Sequence, residues 1–328
     1  MKIYDCFTFN DEVEILKTRI KYLESVVSYF VIAESNRTFS GLEKPFFADK
    51  VIQSLGFDLK RFIRVKYVFP DSLLLDFQKN GSRWPLERFA RESLSKVING
   101  LSSTDYVILS DVDEIPSLEQ VRKSISLNQL SRVSTPVHYG KLNWKIRGND
   151  PWLTVKIGPA DFFSDLNEIR YAVVPVIHVA QTGIHFSDMY KQYEDIKRKA
   201  MSSAHSEFDI EEHEFRKVAA YSTQFKTEYR GRFFRKGMGL VDVTTSLNEQ
   251  QNLLKSFAPE FFDETGPPPY YKRVCASYNL TLAWRNRPVV IRETSNFWWF
   301  LRAICHHGIW NLNVFLKRIK RRATRLIL

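Results

Sequence analysis

The 328-residue sequence is poor in cysteine, with only Cys6, Cys275 and Cys305, odd in number and far apart. That excludes a disulfide scaffold and a cysteine-based zinc module, and it fits a reducing compartment. No run of 18 apolar residues occurs, so nothing reads as a transmembrane helix. Met1-Lys2 leads straight into Ile3-Tyr4-Asp5-Cys6-Phe7-Thr8-Phe9 without the apolar core of a signal peptide. The expected location is therefore cytoplasmic. Internal repeats and low-complexity runs are missing, and no Gly-rich phosphate loop follows the first apolar segment. Residues 296–328 contain no acidic side chain at all.

What is present is globular. Apolar residues make up 44% and charged residues 26%, which is neither a disordered nor a collagen-like composition. The formal charge of +11 is unevenly placed. Seven of the 48 basic residues fall in the acid-free stretch 296–328, leaving 41 basic against 37 acidic elsewhere. A nucleic-acid-binding domain would spread a basic stripe over its folded body. This body is nearly neutral, so no nucleic-acid partner is expected.

Residues 3–9 read as a buried strand, Asn10-Asp11 as an N-cap, and Asp11–Val27 as a helix with apolar positions Val13, Leu16, Ile20, Leu23 and Val27. Tyr29–Ala33 and Arg61–Val68 follow as strands, Pro85–Leu101 as a helix, and Tyr106–Ser110 as a short apolar strand. This alternation predicts an α/β domain with a parallel sheet and ligands beyond the carboxyl ends of its strands. Further on, Pro136–Ile146 and Ala172–Val179 read as strands, and Tyr190–Ala200 and Glu211–Tyr221 as charged helices. Thr265-Gly266-Pro267-Pro268-Pro269 is the clearest break, dividing a catalytic domain (1–265) from a C-terminal extension (266–328). In that extension Ile309, Leu312, Leu316, Ile319, Ala323 and Leu326 form one helical face, with Lys317, Arg318, Arg321, Arg322 and Arg325 mainly opposite. Asn296-Phe297-Trp298-Trp299-Phe300 precedes it. The pattern describes either an interfacial helix on an anionic membrane or a helix docked on the domain.

The most informative segment is Ser110-Asp111-Val112-Asp113-Glu114-Ile115-Pro116, at the end of the fourth strand. On an extended chain Asp111 and Asp113 would point the same way. Two adjacent carboxylates repel unless a cation sits between them, and a hard divalent ion, Mg2+ or Mn2+, suits oxygen ligands. Such an ion can bridge diphosphate oxygens and neutralise a leaving nucleotide. The plainer alternative is a solvated acidic turn.

The segment resembles the Asp-x-Asp region of glycosyltransferase family 17, which includes β-1,4-mannosyl-glycoprotein 4-β-N-acetylglucosaminyltransferases and microbial relatives. Tyr4–Glu12 is similar to the family's opening strand and turn, and Phe30–Gly41 to its second strand and loop. Trp84, Glu87 and Arg91 match the helix before the acidic segment, and Gly183-Ile184-His185-Phe186-Ser187 resembles a Gly-Trp-His-Phe-Ser motif. The resemblance covers roughly residues 3–265. It implies a type A glycosyltransferase fold, Rossmann-like, with a mostly parallel central sheet flanked by helices and, here, a helical C-terminal extension. It further implies a metal-assisted inverting transfer from a UDP-sugar, UDP-N-acetylglucosamine by analogy, to a glycan or lipid-linked oligosaccharide. By the same resemblance Asp113 is a ligand of Mn2+ or Mg2+, Asp111 contacts the ribose or the ion, and His185 completes the metal or diphosphate site. Glu34, with Arg37 in the loop after it, would contact the nucleotide, and Arg91 would face the diphosphate or brace the acidic loop. Ile184 stands where the motif has Trp, and Glu92 follows Arg91 where Asn is usual. Loss of the Trp is expected to remove a stacking surface for a sugar ring.

An inverting transfer also needs a general base. Asp188, Glu194 and Asp195 follow His185 and are candidates, with Glu114 a further one. Arg230–Gly239 is basic and punctuated by glycine, and Arg232 and Arg235 there would meet the diphosphate if the stretch were a lid. A binding protein working through its basic tail, and a nucleotidyltransferase with paired carboxylates, are the other readings.

Overall fold

The computed structural model describes residues 1–146, 152–191, 193–202, 241–244 and 246–265. The strands are β1 (Ile3–Phe9), β2 (Tyr29–Ser35), β3 (Phe62–Tyr67), β4 (Tyr106–Asp111), β5 (Glu114–Ile115), β6 (Ser131–Val133), β7 (Val137–Tyr139), β8 (Trp144–Ile146), β9 (Lys156–Pro159), β10 (Val176–Ile177), β11 (Ile184–Ser187) and β12 (Val241–Val243). The helices are α1 (Val13–Leu23), α2 (Ala48–Ser54), α3 (Asp71–Asn80), α4 (Trp84–Glu92), α5 (Ser95–Ile98), α6 (Leu118–Leu127), α7 (Leu166–Tyr171), α8 (Tyr193–Ser202) and α9 (Glu249–Phe257).

Seven strands form one sheet in the order β10-β6-β9-β4-β1-β2-β3, and five form a second in the order β12-β8-β7-β11-β5. In the larger sheet β4, β1, β2 and β3 are mutually parallel, while β9 runs antiparallel to both β4 and β6. The parallel strands are apolar on both faces because both faces are covered. On one face Ile3, Phe7 and Phe9 of β1 pack with Leu16, Ile20 and Leu23 of α1 and with Val51 and Ile52 of α2. On the other, Tyr4 and Cys6 pack with Leu86 and Ala90 of α4 and with Leu94 and Ile98. The expected α/β architecture with a mostly parallel, helix-flanked sheet is what the chain adopts. The proposed C-terminal extension lies outside the described residues, as does the Glu211–Tyr221 helix.

Local chemistry moved several boundaries. α1 begins at Val13, with Glu12 as an N-cap that makes no capping bond, rather than at Asp11. Asp11 is engaged by Arg198, and Glu12 by Lys199 and by the amides of Asn10 and Asp11. The Pro85–Leu101 helix breaks into α4 and α5. The Ser93 hydroxyl donates to Ala90 O at 2.7 Å, a local bond that competes with helix propagation. Pro136–Ile146 folds as the antiparallel pair β7 and β8. Gly140 lies in the turn between them at φ 78°, where a Cβ would come 2.7 Å from the Tyr190 ring. Ala172–Val179 contributes only Val176–Ile177, an edge strand beginning just after Pro175, which has no amide hydrogen to donate. No described helix is long and apolar enough to cross a membrane.

One crossing fixes the site. β4 ends in the larger sheet at Asp111, the chain turns through Val112 and Asp113, and β5 enters the smaller sheet beside β11. Asp111 remains beside β1, where Val112 N donates to Thr8 O at 3.3 Å, and Asp113 O accepts from Phe186 N of β11 at 2.8 Å. Gly183 is needed for this approach, since a Cβ there would sit 2.2 Å from Ile115 O and 2.7 Å from Pro116 Cα. Gly183→Ala is expected to destabilise the fold by about 1–3 kcal/mol through this overlap with backbone. A thermal melt indistinguishable from wild type would show that β11 and β5 are less tightly apposed than described.

Candidate active site

The acidic turn is gripped from below by Arg19, which lies on the apolar face of α1 and is fully buried with Asp5 of β1. Its Nε and Nη2 donate to the two Asp5 carboxylate oxygens at 2.8 and 2.6 Å. Nη2 also reaches Ser110 Oγ at 2.7 Å. Nη1 donates to the carbonyls of Asp111, Val112 and Glu114 at 2.9, 3.3 and 3.0 Å. One guanidinium therefore satisfies a buried carboxylate and the backbone of the turn together.

Above the turn lies a cleft of about 380 Å3, lined by Thr8, Phe9 and Asn10 of β1 and its loop, by Ser35 and Arg37 after β2, and by the acidic turn. Trp152, Thr154, Arg170, Tyr171, His185, Ser187, Asp188 and Lys199 also line it, together with Phe39, Tyr67, Trp84 and Glu87. The cleft thus opens at the carboxyl ends of parallel strands, where α/β sheets present their ligand sites.

The two aspartates face different partners. Asp111 Oδ2 pairs with Arg170 Nη2 at 2.5 Å, and Oδ1 accepts from Thr8 Oγ1 at 3.2 Å with Arg91 Nη2 at 3.8 Å. Asp113 Oδ2 lies 3.5 Å from His185 Nε2. The chain turns at Val112 and Asp113, so the extended backbone assumed for Asp111 and Asp113 is not present, although both residues line the cleft. A guanidinium supplies the positive charge nearest Asp111. Burial pushes the Asp111 carboxyl up to about 6 against the pull of Arg170, and the neighbouring Glu114 adds to the rise. Arg170 answers two carboxylates at once, since Glu114 accepts its Nη1 and Nη2 at 2.9 Å each.

Glu114 also accepts Trp152 Nε1 at 2.6 Å, Thr154 Oγ1 at 2.7 Å and the Asp111 amide at 3.1 Å. It is 1% exposed. Burial opposes its ionisation, but Arg170 and these donors hold its carboxyl well below the usual range. That environment makes Glu114 a brace rather than a proton acceptor. Lys156 adds a second tie, donating to Arg170 O at 2.7 Å and to Leu153 O at 3.0 Å.

The remaining expected residues separate clearly. Asp188 lines the cleft at the end of β11 with φ 52°, a left-handed conformation uncommon outside glycine. Glu194 is exposed on α8 and is not a cleft-lining residue. Arg37 lines the cleft and pairs with Glu43 at 2.7 Å. Arg91 lies behind the acidic turn, bonded to Glu87 at 2.7 Å and to Asn167 at 3.0 Å, so it braces. Glu34 does not line the cleft. Its carboxylate accepts the amides of Phe47 and Ala48 at 2.6 and 3.2 Å and the Lys44 ammonium at 3.2 Å, fixing the start of α2. Ile184 is buried in the core, so a Trp there would face packing and not a sugar. Arg232 and Arg235 lie outside the described residues.

Among the described residues no cluster of three or more His, Cys, Asp or Glu side chains is disposed to hold a metal ion. The donor pair Asp113 and His185 fits Mg2+ or Mn2+ only if diphosphate oxygens and water complete the sphere, as these ions commonly bind.

Several residues were absent from the sequence reading. Arg19 carried a signal, being a charge on the apolar face of α1 facing another charge, Asp5, inside an apolar strand. Thr8, Trp152 and Arg170 carried none, since they reach the cleft only through the fold. Lys199 and Glu12 pair across the cleft wall and tie α8 to the β1–α1 turn.

The fold and cleft define an α/β protein with a ligand site at the carboxyl ends of its parallel strands. Residues 1–139 match the model of glycosyltransferase family 17. That stretch, which holds β1 to β7 and the acidic turn, is similar to this family of glycosyltransferases. No curated protein matches the sequence. Among solved structures, 4-diphosphocytidyl-2C-methyl-D-erythritol synthase from Anaerococcus prevotii is similar at 11% identity, covering 60% of this chain and 95% of its own, with a TM-score of 0.34. HddC from Yersinia pseudotuberculosis is 13% identical, covering 52% and 83%, with a TM-score of 0.30. Likeness at this level does not extend to activity.

Two outcomes follow from the buried charges. Arg19→Met leaves the Asp5 carboxylate buried without its partner, so stability should fall by about 3–5 kcal/mol in denaturant unfolding; a loss under 1 kcal/mol would mean Asp5 finds another donor. Glu12 concerns pH. Burial raises its carboxyl, but Lys199 and the nearby amides bring it down from 4.5 to about 2. A depressed carboxyl stabilises the fold above about 4.5 and loses that contribution as pH falls towards 2. Glu12→Gln should therefore melt below wild type at pH 7, with the gap closing over that acid range. A gap independent of pH would exclude the Lys199 pairing as its source.

Proposed function

We propose that this protein is a metal-dependent, inverting glycosyltransferase. By the family resemblance it moves N-acetylglucosamine from UDP-N-acetylglucosamine to a hydroxyl of a glycan or lipid-linked oligosaccharide. The observation that carries this reading is the Asp113–His185 pair, set in a cleft at the strand ends beside Asp111 and Arg170. The nucleoside fits the end of the cleft formed by Thr8–Asn10, Ser35 and Arg37, next to the parallel strands. Asp113 and His185 would hold Mn2+ or Mg2+, which neutralises the charge of the diphosphate when bound. Arg170 and Arg91 keep the Asp111 end of the turn fixed, so Asp113 is presented without reorganisation.

Asp188 is the proton acceptor in this reading, because it lines the cleft just past the end of the strand that carries His185, while Glu114 is saturated with donors. The acceptor hydroxyl oxygen forms its bond to C1 of the sugar as the C1–phosphate oxygen bond breaks. The hydroxyl proton passes to Asp188, and UDP leaves with the bonding pair. Lys199, half-buried near Asp113 and Asp188, adds positive charge to the same cleft. A basic extension at 296–328 would bring the enzyme to an anionic cytoplasmic membrane surface carrying its acceptor.

The test is binding and turnover with UDP-N-acetylglucosamine, with and without Mn2+. Asp113→Ala should abolish the Mn2+-dependent thermal shift by the nucleotide sugar. Asp188→Asn should keep that shift and lower kcat about 10²–10⁴-fold. A wild-type protein unshifted by UDP or by any UDP-sugar with Mn2+ would overturn the reading.

A further inference from the structure

Ile184 is buried in the core, but an aromatic residue, Trp152, lines the cleft beside His185. Trp152 is held at three points, one through its indole and two through its backbone carbonyl. Nε1 donates to Glu114 Oε1 at 2.6 Å, and its carbonyl accepts from Thr135 N and Oγ1 at 3.0 and 3.2 Å. Its ring stands 5.0 Å from that of His185, inclined by 43°. A ring fixed in this way presents its face without losing side-chain freedom on binding.

Covalent order in the ligand then places the sugar. In a nucleotide sugar the diphosphate lies between nucleoside and sugar. If the diphosphate meets Asp113 and His185, the two ends must extend in opposite directions along the cleft. Thr8–Asn10, Ser35 and Arg37, at the ends of β1 and β2, take the nucleoside. Among the other residues that line the cleft, which include Phe39, Tyr67, Trp84, Thr154 and Tyr171, Trp152 is the aromatic one whose ring stands beside His185. A pyranose has one face rich in C–H groups, and the negative face of an aromatic π-system attracts such weakly positive hydrogens. We infer that Trp152 is the platform on which the transferred sugar ring of the donor stacks. This makes Trp152 a specificity-determining residue, and it rests on the nucleotide-sugar reading of the cleft.

Isothermal titration of the whole chain with UDP and with UDP-N-acetylglucosamine, both with Mn2+, tests this. Trp152→Leu keeps apolar bulk without a π face, and Trp152→Phe keeps a π face without the bond to Glu114. The wild type should bind the sugar nucleotide more tightly than UDP. Trp152→Leu should lose about fivefold to tenfold in affinity for UDP-N-acetylglucosamine while its Kd for UDP stays unchanged. Trp152→Phe should retain most of the wild-type preference. Equal weakening of both ligands by Trp152→Leu, or no weakening of either, overturns the inference. Leu and Phe variants that lose the preference alike also overturn it, by assigning the effect to the hydrogen bond. A wild type that binds neither ligand instead overturns the donor reading itself, so the two failures are distinguishable.

Discussion

The arrangement of the cleft depends on one buried guanidinium. Arg19 neutralises Asp5 inside the sheet and spends its remaining hydrogens on the carbonyls of Asp111, Val112 and Glu114. A turn carrying three carboxylates within four residues has no intrinsic reason to hold one shape, since its side chains repel and its carbonyls point inward. With both partners fully buried, the alternative for either charge is an unpaired group in a low-dielectric interior, which costs several kcal/mol. The turn is therefore fixed from the core outward, before any ligand arrives.

The cleft balances its charges in the same manner. Arg170 spans Asp111 and Glu114, Arg91 joins Asp111 to Glu87, and Lys199 meets Glu12. Asp111, Glu114, Glu87 and Glu12 are thus each paired with a protein cation. Asp113 differs, with the His185 imidazole beside it and a place on the cleft wall. A preorganised site of this kind meets incoming charge with little rearrangement, which is where electrostatic catalysis gains most.

Much of this was legible in the chain itself. The parallel half of the sheet could be read because β1, β2 and β4 are continuous apolar runs at the spacing of strand-helix-strand units. The acidic segment stood out because polar residues at the end of such a strand have a definite place in the fold. The smaller sheet was harder to read, since β5, β7, β8 and β11 have two to four residues each and too short a period to register. Glu34 shows a different limit: its place at a strand end suggested a ligand contact, yet two backbone amides of α2 claim its carboxylate. The extended backbone assumed for Asp111 and Asp113 is absent for a related reason. Alternation along a strand holds only while the strand continues, and here it stops between the two residues.

That interruption has a mechanical corollary. Asp111 and its partners Thr8, Arg91 and Arg170 belong to the larger sheet and its helices, whereas Asp113 and His185 ride on the smaller one. The two anchor points work like the jaws of a calliper whose opening is set by how one sheet seats against the other. Gln250, donating to Ile115 O and Pro116 O at 3.1 Å each, lies on that seat and not in the cleft. Remote packing changes along this seam would therefore retune the gap between the two anchor points without altering any group that lines it.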